Sequence, residues 1–410
     1  FGSSCFGSVC NLRACSFCKM GCATSSGADG KAENVTGSNR RRLSVSQIGK
    51  EEGGNNTEDN EDERGLITAL NESNIVELLQ NAGEDRKFSI GSNTDAGKTS
   101  FANKTVQQMG DEVNAVDLGI GYTCRKGLKP ESPNQDSWGI INVGEYSIYG
   151  VYDGHGQKGH DVSNFVKENM PKIIVRDQRF KTDDMKPMMT ETFKKMQSLI
   201  AHQDRNKKIS AQMSGTTATV AIHNHAARKL LVSHVADSTC VLGFIDGKKL
   251  KGRALTRDHK PDLPDEKARI IKAGGRVVFD GYANHRVYAK AGRYPGLNMS
   301  RCLGDLLGHS DAGCSAEPEV NEFELSESDF VLLLCSDGVW EFISPDEAVA
   351  MVSQYPKDKA MQAADYLAKQ AWDRWIHEEG GAVVDDITVV IIYLPPGCDA
   401  AVDLVKSNNK

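Results

Sequence analysis

Residues 146–156 read YSIYGVYDGHG. The first seven carry no charge and are apolar, aromatic or small, which suits a short β-strand bounded by a turn. The run stops at Asp153-Gly154-His155-Gly156, a turn sequence that leaves a carboxylate and an imidazole at the strand's end. The arrangement recurs: KLLVSHVA (229–236) runs into Asp237-Ser238, and FVLLLCS (330–336) runs into Asp337-Gly338. ITVVIIYL (387–394) is instead preceded by Asp385-Asp386, and Asp136 in PNQDSWGIINV (133–143) also precedes a strand-like segment. In a sheet where the last strand runs antiparallel to the others, these acids gather at one edge.

One Asp-Gly is an ordinary turn dipeptide. Several acids abutting strands are a different matter, because carboxylates brought together without cations resist ionising. Hard oxygen ligands, with no clustered cysteine and histidine, suit Mg²⁺ or Mn²⁺ over Zn²⁺. Such ions polarise a phosphoryl group and lower the pKa of bound water. No Walker-type glycine-lysine motif occurs, so nucleotide-driven chemistry has no support.

Composition removes other classes. The 410 residues are 39% hydrophobic and 26% charged, as in a soluble globular protein. A net charge of −7 and a pI near 5.9 give no basic field for nucleic acid. The longest apolar runs fall far short of the roughly 20 residues that cross a bilayer, and no secretory leader is read. Cys5, Cys10, Cys15, Cys18 and Cys22 crowd the N-terminus, where Cys15-x-x-Cys18 is half a zinc site without its second pair. The other cysteines read as reduced thiols of a cytoplasmic protein.

Residues 23–64 are polar and acidic and read as disordered, and 67–83 read as a short helix before a further polar stretch to about residue 112. Helical patterns then alternate with strands to about 395. The expected division is an N-terminal extension 1–85, a catalytic domain 86–398 and a tail 399–410. Ser344-Pro345-Asp346-Glu347 predicts a capped helix start.

PNQDSW, YGVYDGHG, SGTTATVAI, VSHVADSTCVLG, LNMSRCLGD, AEPEV, LLLCSDGVWEFIS and DDITVVIIY occur in that order. The series resembles the type 2C, metal-dependent serine/threonine protein phosphatases over about residues 118–395. The resemblance implies an α+β fold, a four-layer αββα sandwich of two antiparallel sheets flanked by helices. It also implies two Mn²⁺ or Mg²⁺ ions with a weaker third, phosphoprotein substrates and a monomer. Asp153 resembles the carboxylate bridging both metals, Gly154 the contributor of a backbone carbonyl, and Asp337 and Asp385 the terminal ligands. Asp136 belongs to the second metal's surroundings, and Asp237 to the third metal. His155 matches the proposed general acid for the leaving oxygen, the competing role being a cap on the turn. A metal-activated water attacks phosphorus with no phospho-enzyme. Departures from the family pattern are Gln135 where many members carry Glu and Glu341 where many carry Asp, and the place of the arginine that many members carry shortly before position 135 is open. Arg125, Lys126 and Lys129 are the candidates to grip phosphate. The competing classes are a non-catalytic phosphatase-like scaffold, which should have lost these ligands, and a hydrolase of small phosphoesters.

Met20-Gly21-Cys22-Ala23-Thr24-Ser25 fits the pattern for myristoylation of Gly21, with Cys22 placed for palmitoylation. Stable anchoring takes two signals, and Arg40-Arg41-Arg42 adds attraction to an anionic surface. A phosphate on Ser44 in RRRLSVS would weaken that attraction. The pattern predicts a catalytic domain tethered at the cytoplasmic face of a membrane. Expressed from Met20 with a C-terminal tag, the protein is expected to sediment with membranes and Gly21→Ala to remain soluble; equal distribution of the two overturns the anchor.

Overall fold

The computed structural model describes residues 58–72, 75–80, 87–93, 104–112, 114–128 and 133–408. Gly21, Cys22, Ser44 and Lys129 lie outside the described residues.

Tyr146–Tyr152 forms a strand between Ser137–Val143 and Ala218–Asn224, antiparallel to both. Lys229–Val235 and Glu319–Glu324 extend the sheet on one side, and Lys87–Asn93 and Thr105–Gly110 on the other, giving seven strands. A second, five-stranded sheet runs in the order Lys249–Ala254, Thr239–Asp246, Asp329–Cys335, Ile387–Tyr393, Ile120–Arg125, each antiparallel to its neighbour.

Side-chain alternation explains the layers. Tyr149, Val151, Trp138 and Ile140 of the first sheet join Leu332, Leu334, Val390 and Ile392 of the second in one apolar layer between the sheets. The intervening residues face outward but stay dry. Ile148 and Tyr152 share a core with side chains of helices Gly159–Arg176 and Met185–Arg205, while Leu333 and Ile391 share one with Pro345–Val352 and Ala360–Glu378. Strands covered on both faces must be apolar at every position, which is why they read as unbroken runs. The expected αββα sandwich is therefore present, and Ser344 and Glu347 make the expected reciprocal cap.

Four expectations change. The acids do not share one sheet: Asp136 and Asp153 border the seven-stranded sheet, Asp337 and Asp385 the five-stranded one, because each strand pairs with an immediate antiparallel neighbour. Helix Glu58–Glu72 starts inside the segment read as disordered and is followed by Ile75–Gln80. Leu66, Ile67 and a buried Leu70 anchor it on the outer core, so tertiary packing overrides the polar composition. Lys87–Asn93 and Thr105–Gly110 are strands within the stretch read as polar connection; only Phe88 and Ile90 of the first join the core between the sheets. Residues 399–410, read as a tail, mostly belong to helix Gly397–Asn408, which buries Cys398 and Ala401.

A surface lobe is made by helix Pro264–Lys272 and the three-stranded sheet Arg276–Phe279, His285–Tyr288, Pro295–Leu297. Its connection to the body runs through Glu266, 1% exposed, which accepts hydrogen bonds from Ser300 Oγ, Arg269 Nη2 at 2.6 Å and Arg301 Nη2 at 2.5 Å. Burial alone would raise this carboxyl, but Arg301, Ser300 and Arg269 outweigh it and hold it at about 2 against an ordinary 4.5. A depressed carboxyl stabilises the fold above its unfolded pKa and loses that contribution as pH falls toward the folded value. Glu266→Gln is therefore expected to cost about 3 kcal/mol at pH 7. Thermal unfolding should show the deficit shrinking as pH drops from 4.5 toward 2; a deficit independent of pH would contradict this role.

Candidate metal and catalytic site

The register of each sheet brings the acids to one edge of the sandwich. Ser137 pairs with Tyr152, which sets Asp136 beside Asp153. Cys335 pairs with Val389, which sets Asp337 near Asp385 and Asp386. The two sheets are tied together there by hydrogen bonds. Ser336 Oγ donates to Asp136 Oδ2 at 2.8 Å, and the Asp386 carboxylate accepts the backbone N–H groups of Gly127 and Gln135, each at 2.7 Å. Asp386 thus spends its oxygens on backbone, whereas Asp385 stays partly accessible.

The turn after Tyr152 is fixed by close packing. A Cβ on Gly154 would lie 2.5 Å from the Gly159 carbonyl oxygen and 2.6 Å from that of Gln135. Only glycine allows the turn to press against the start of helix Gly159–Arg176. Thr217 Oγ1 accepts the Asp153 N–H at 2.9 Å, and the Asp153 carbonyl accepts the Thr217 N–H at 2.8 Å. The Gln135 side chain donates to the Gly156 carbonyl at 2.6 Å, locking the turn from its other side.

The electrostatics are those of an acid cluster short of positive charge. Burial, then the charges of Asp385 and Asp237, push Asp337 up to about 8, although it shares a hydrogen bond with Asp153. Burial, then Asp386, push Asp136 up to about 7. One oxygen each of Asp136, Asp237 and Asp337 is buried without a hydrogen-bond partner among the described residues. Unpaired buried carboxylate oxygens are costly, and divalent cations taking oxygen ligands would remove the cost. The residues present fit such ions.

Asp237 is set differently from the rest. Lys260 Nζ donates to its Oδ2 at 2.5 Å, so an ammonium already stands beside the carboxylate expected to hold a third ion. Asp258 and Asp337 also act on Lys260, which places this cation among the acids. Lys104 is a second such cation. Its ammonium donates to Ser137 Oγ at 2.8 Å, and burial, opposed by Cys124 and Asp136, lowers it to about 8. Neither lysine was marked by its sequence surroundings.

His155 does not cap the turn. Its Nε2 lies 2.5 Å from Asp305 Oδ2, and its Nδ1 is buried without a partner among the described residues. Burial opposes a charged ring, yet Asp305, then Asp237 and Asp337, hold its pKa above the ordinary value. Asp305 is 1% exposed, adopts φ +42° and anchors its N–H on the Ser214 carbonyl at 2.9 Å. A Cβ at Gly215 would sit 2.1 Å from Asp305 Oδ2 and 2.8 Å from His155 Nε2, so that glycine is what admits the pair. LNMSRCLGD gives Asp305 no role from the sequence alone, because 150 positions separate it from His155.

The expected phosphate-binding residues are not gathered in the same way. Ile120, Tyr122 and Cys124 face the layer between the sheets, so Arg125 projects to the other face, where its guanidinium lies 3.7 Å from Asp365 of helix Ala360–Glu378. Lys126 is buried and donates to the Gly127 carbonyl at 3.3 Å.

The family model described as Protein phosphatase 2C matches residues 141–379. The chain belongs to the protein phosphatase 2C family. An Arabidopsis thaliana relative named "Probable protein phosphatase 2C 73" is 32% identical over 350 residues, covering 76% of this chain and 92% of the relative. Another from the same plant, "Probable protein phosphatase 2C 61", is 34% identical over 270 residues, covering 64% and 80%. The crystal structure of a serine-threonine phosphatase 2C from Toxoplasma gondii superimposes with a TM-score of 0.58 at 19% identity, covering 67% of this chain and 94% of that one, a likeness of fold. This protein phosphatase 2C is accordingly a protein serine/threonine phosphatase.

Asp305→Asn removes the anion beside His155 and leaves burial dominant. The imidazole is expected to titrate above pH 6.5 in the wild type and below it in the variant, followed by its NMR resonances. An unchanged titration would dissociate the pair.

Proposed function

We propose that this protein phosphatase hydrolyses phosphoserine and phosphothreonine with two divalent cations, Mn²⁺ or Mg²⁺, held by Asp153, the Gly154 carbonyl, Asp337 and Asp385. The observation that carries this is that buried carboxylate oxygens of Asp136, Asp237 and Asp337, at the edge where the two sheets meet, have no hydrogen-bond partner among the described residues. Bound ions would neutralise the cluster, polarise the phosphoryl oxygens and acidify a water for attack on phosphorus.

The chain's own residues perform the remainder. Asp136, fixed by Ser336 Oγ, backs the ligand shell from the first sheet. Gly154 and Gly159 keep the turn close to the helix, so its carbonyl and carboxylate are presented on rigid backbone. Asp305 favours the protonated imidazole and occupies its Nε2. The proton available to the departing serine or threonine oxygen is then that on Nδ1, the ring nitrogen without a partner. Lys260, beside Asp237, supplies fixed positive charge where a weaker third ion would otherwise go, and adds attraction for phosphate. A non-catalytic scaffold gains no support, because Asp153, Gly154, Asp337 and Asp385 are all retained.

The test combines metal removal with one substitution. Turnover of a phosphothreonine peptide is expected to vanish in EDTA and return with Mn²⁺. Asp153→Ala should lose about 100-fold or more while keeping its circular-dichroism spectrum. Calorimetry should show weakened Mn²⁺ binding in the same variant. Undiminished turnover in EDTA, or by Asp153→Ala, refutes the proposal.

A further inference from the structure

A cleft of about 270 Å³ opens on the helix side of the seven-stranded sheet, and none of the clustered acids lines it. Its apolar walls are Ile75, Met109, Ile141, Ile148 and Pro171. Its base is set by three glycines in register on adjacent strands, since Gly91 pairs with Gly139 and Gly139 with Gly150. Two long side chains use the space these glycines leave. Tyr152 folds back along its own strand, so that a Cβ on Gly150 would lie 2.3 Å from the phenol oxygen. The Lys167 stem crosses the neighbouring pair, 3.7 Å from a Cβ on either Gly91 or Gly139. Bare backbone thereby brings a hydroxyl and an ammonium stem into a site with hydrocarbon walls.

The hydroxyl is the telling group. Tyr152 is 1% exposed and lines the cleft, yet its phenol has no hydrogen-bond partner among the described residues. The hydroxyl opens into the cleft, so its donor and acceptor are available to a bound molecule. Lys167 Nζ donates to the Ser92 carbonyl at 2.8 Å and lies 3.5 Å from Glu168, and an ammonium has three donors to place. Lys172, also lining the cleft, donates to the Leu70 carbonyl at 2.9 Å. Two lysines against one glutamate give the lining a positive balance.

We propose that this cleft binds a small amphipathic monocarboxylic acid, its hydrocarbon body against the isoleucine and methionine walls and its carboxylate receiving the Tyr152 hydroxyl hydrogen and facing the Lys167 ammonium. The volume is just below the roughly 300–1,000 Å³ of typical ligand pockets, so the body is a short acyl chain or a single ring. Tyr152 is joined directly to Asp153, so the ligand touches the strand end from which the acid cluster begins.

Octanoate is the probe, titrated calorimetrically into the full-length protein, with octanol as its neutral counterpart. Saturable one-site binding is expected for octanoate and at least about 10-fold weaker binding for octanol, as a charge-assisted hydrogen bond implies. Tyr152→Phe should lose about 10-fold in octanoate affinity while its Tm without ligand equals or exceeds the wild type, since the hydroxyl has no internal partner to lose. Gly139→Leu, which projects into the cleft, should abolish binding. Absence of saturable binding, equal affinity for octanol, or octanoate binding indifferent to Tyr152→Phe would each overturn the assignment. Because the readout is binding and not turnover, the outcome is independent of the metal mechanism.

Discussion

Repulsion among the carboxylates of Asp136, Asp153, Asp337 and Asp385 is the constraint around which the surrounding structure is arranged. Left alone, acids gathered at one edge would repel one another or remain protonated. Asp386 is held by two backbone N–H groups, and those same bonds stitch the strand ends of one sheet to the lead-in of the other. Ser336 secures Asp136 across the same seam. Lys104 and Lys260 add positive charge at its margins. The remaining deficit falls on oxygens of Asp136, Asp237 and Asp337 that have no hydrogen-bond partner among the described residues, and cations taking oxygen ligands would relieve it.

The same economy of groups appears at His155. A single carboxylate fixes the ring's orientation, favours its charged form and occupies one nitrogen, which leaves the other nitrogen for proton exchange. Making room for that contact took a glycine at position 215 and a left-handed backbone at Asp305. Positive φ at a non-glycine residue is unfavourable and persists where neighbours over-determine it. Here the neighbours are the Ser214 carbonyl and the imidazole itself.

How much of this was legible follows from burial. Strands such as Tyr146–Tyr152 and Ile387–Tyr393 are covered on both faces, so every residue is under the same demand and the run stands out. Lys87–Asn93 alternates half-buried with buried positions and carries Gly91 and two serines, so its composition matches a loop. Helix Glu58–Glu72 is polar over most of its length and is decided by Leu66, Ile67 and Leu70. Acids at strand ends were visible because a strand's end is marked locally. Asp305, Lys260 and Lys104 act on groups distant in sequence, and no local pattern announces a partner that the fold alone supplies. Arg125 shows the converse: strand alternation, fixed by Ile120, Tyr122 and Cys124, sends it to the helix side whatever its charge suggests.

The position of Ile387–Tyr393 in the second sheet bears on how the protein is made. This strand lies between Asp329–Cys335 and Ile120–Arg125 and supplies the core on both its faces. It also leaves the ribosome after every other described strand. Until it emerges, Ile120–Arg125 has no neighbour to pair with, and the earlier acids cannot be drawn together with Asp385. Chain closure over such separations is slow, and exposed strand edges meanwhile invite wrong pairings. A nascent chain must therefore wait, held open with its acids scattered, and termination before Asp385 would remove an interior strand of one sheet together with that acid, leaving the cluster incomplete.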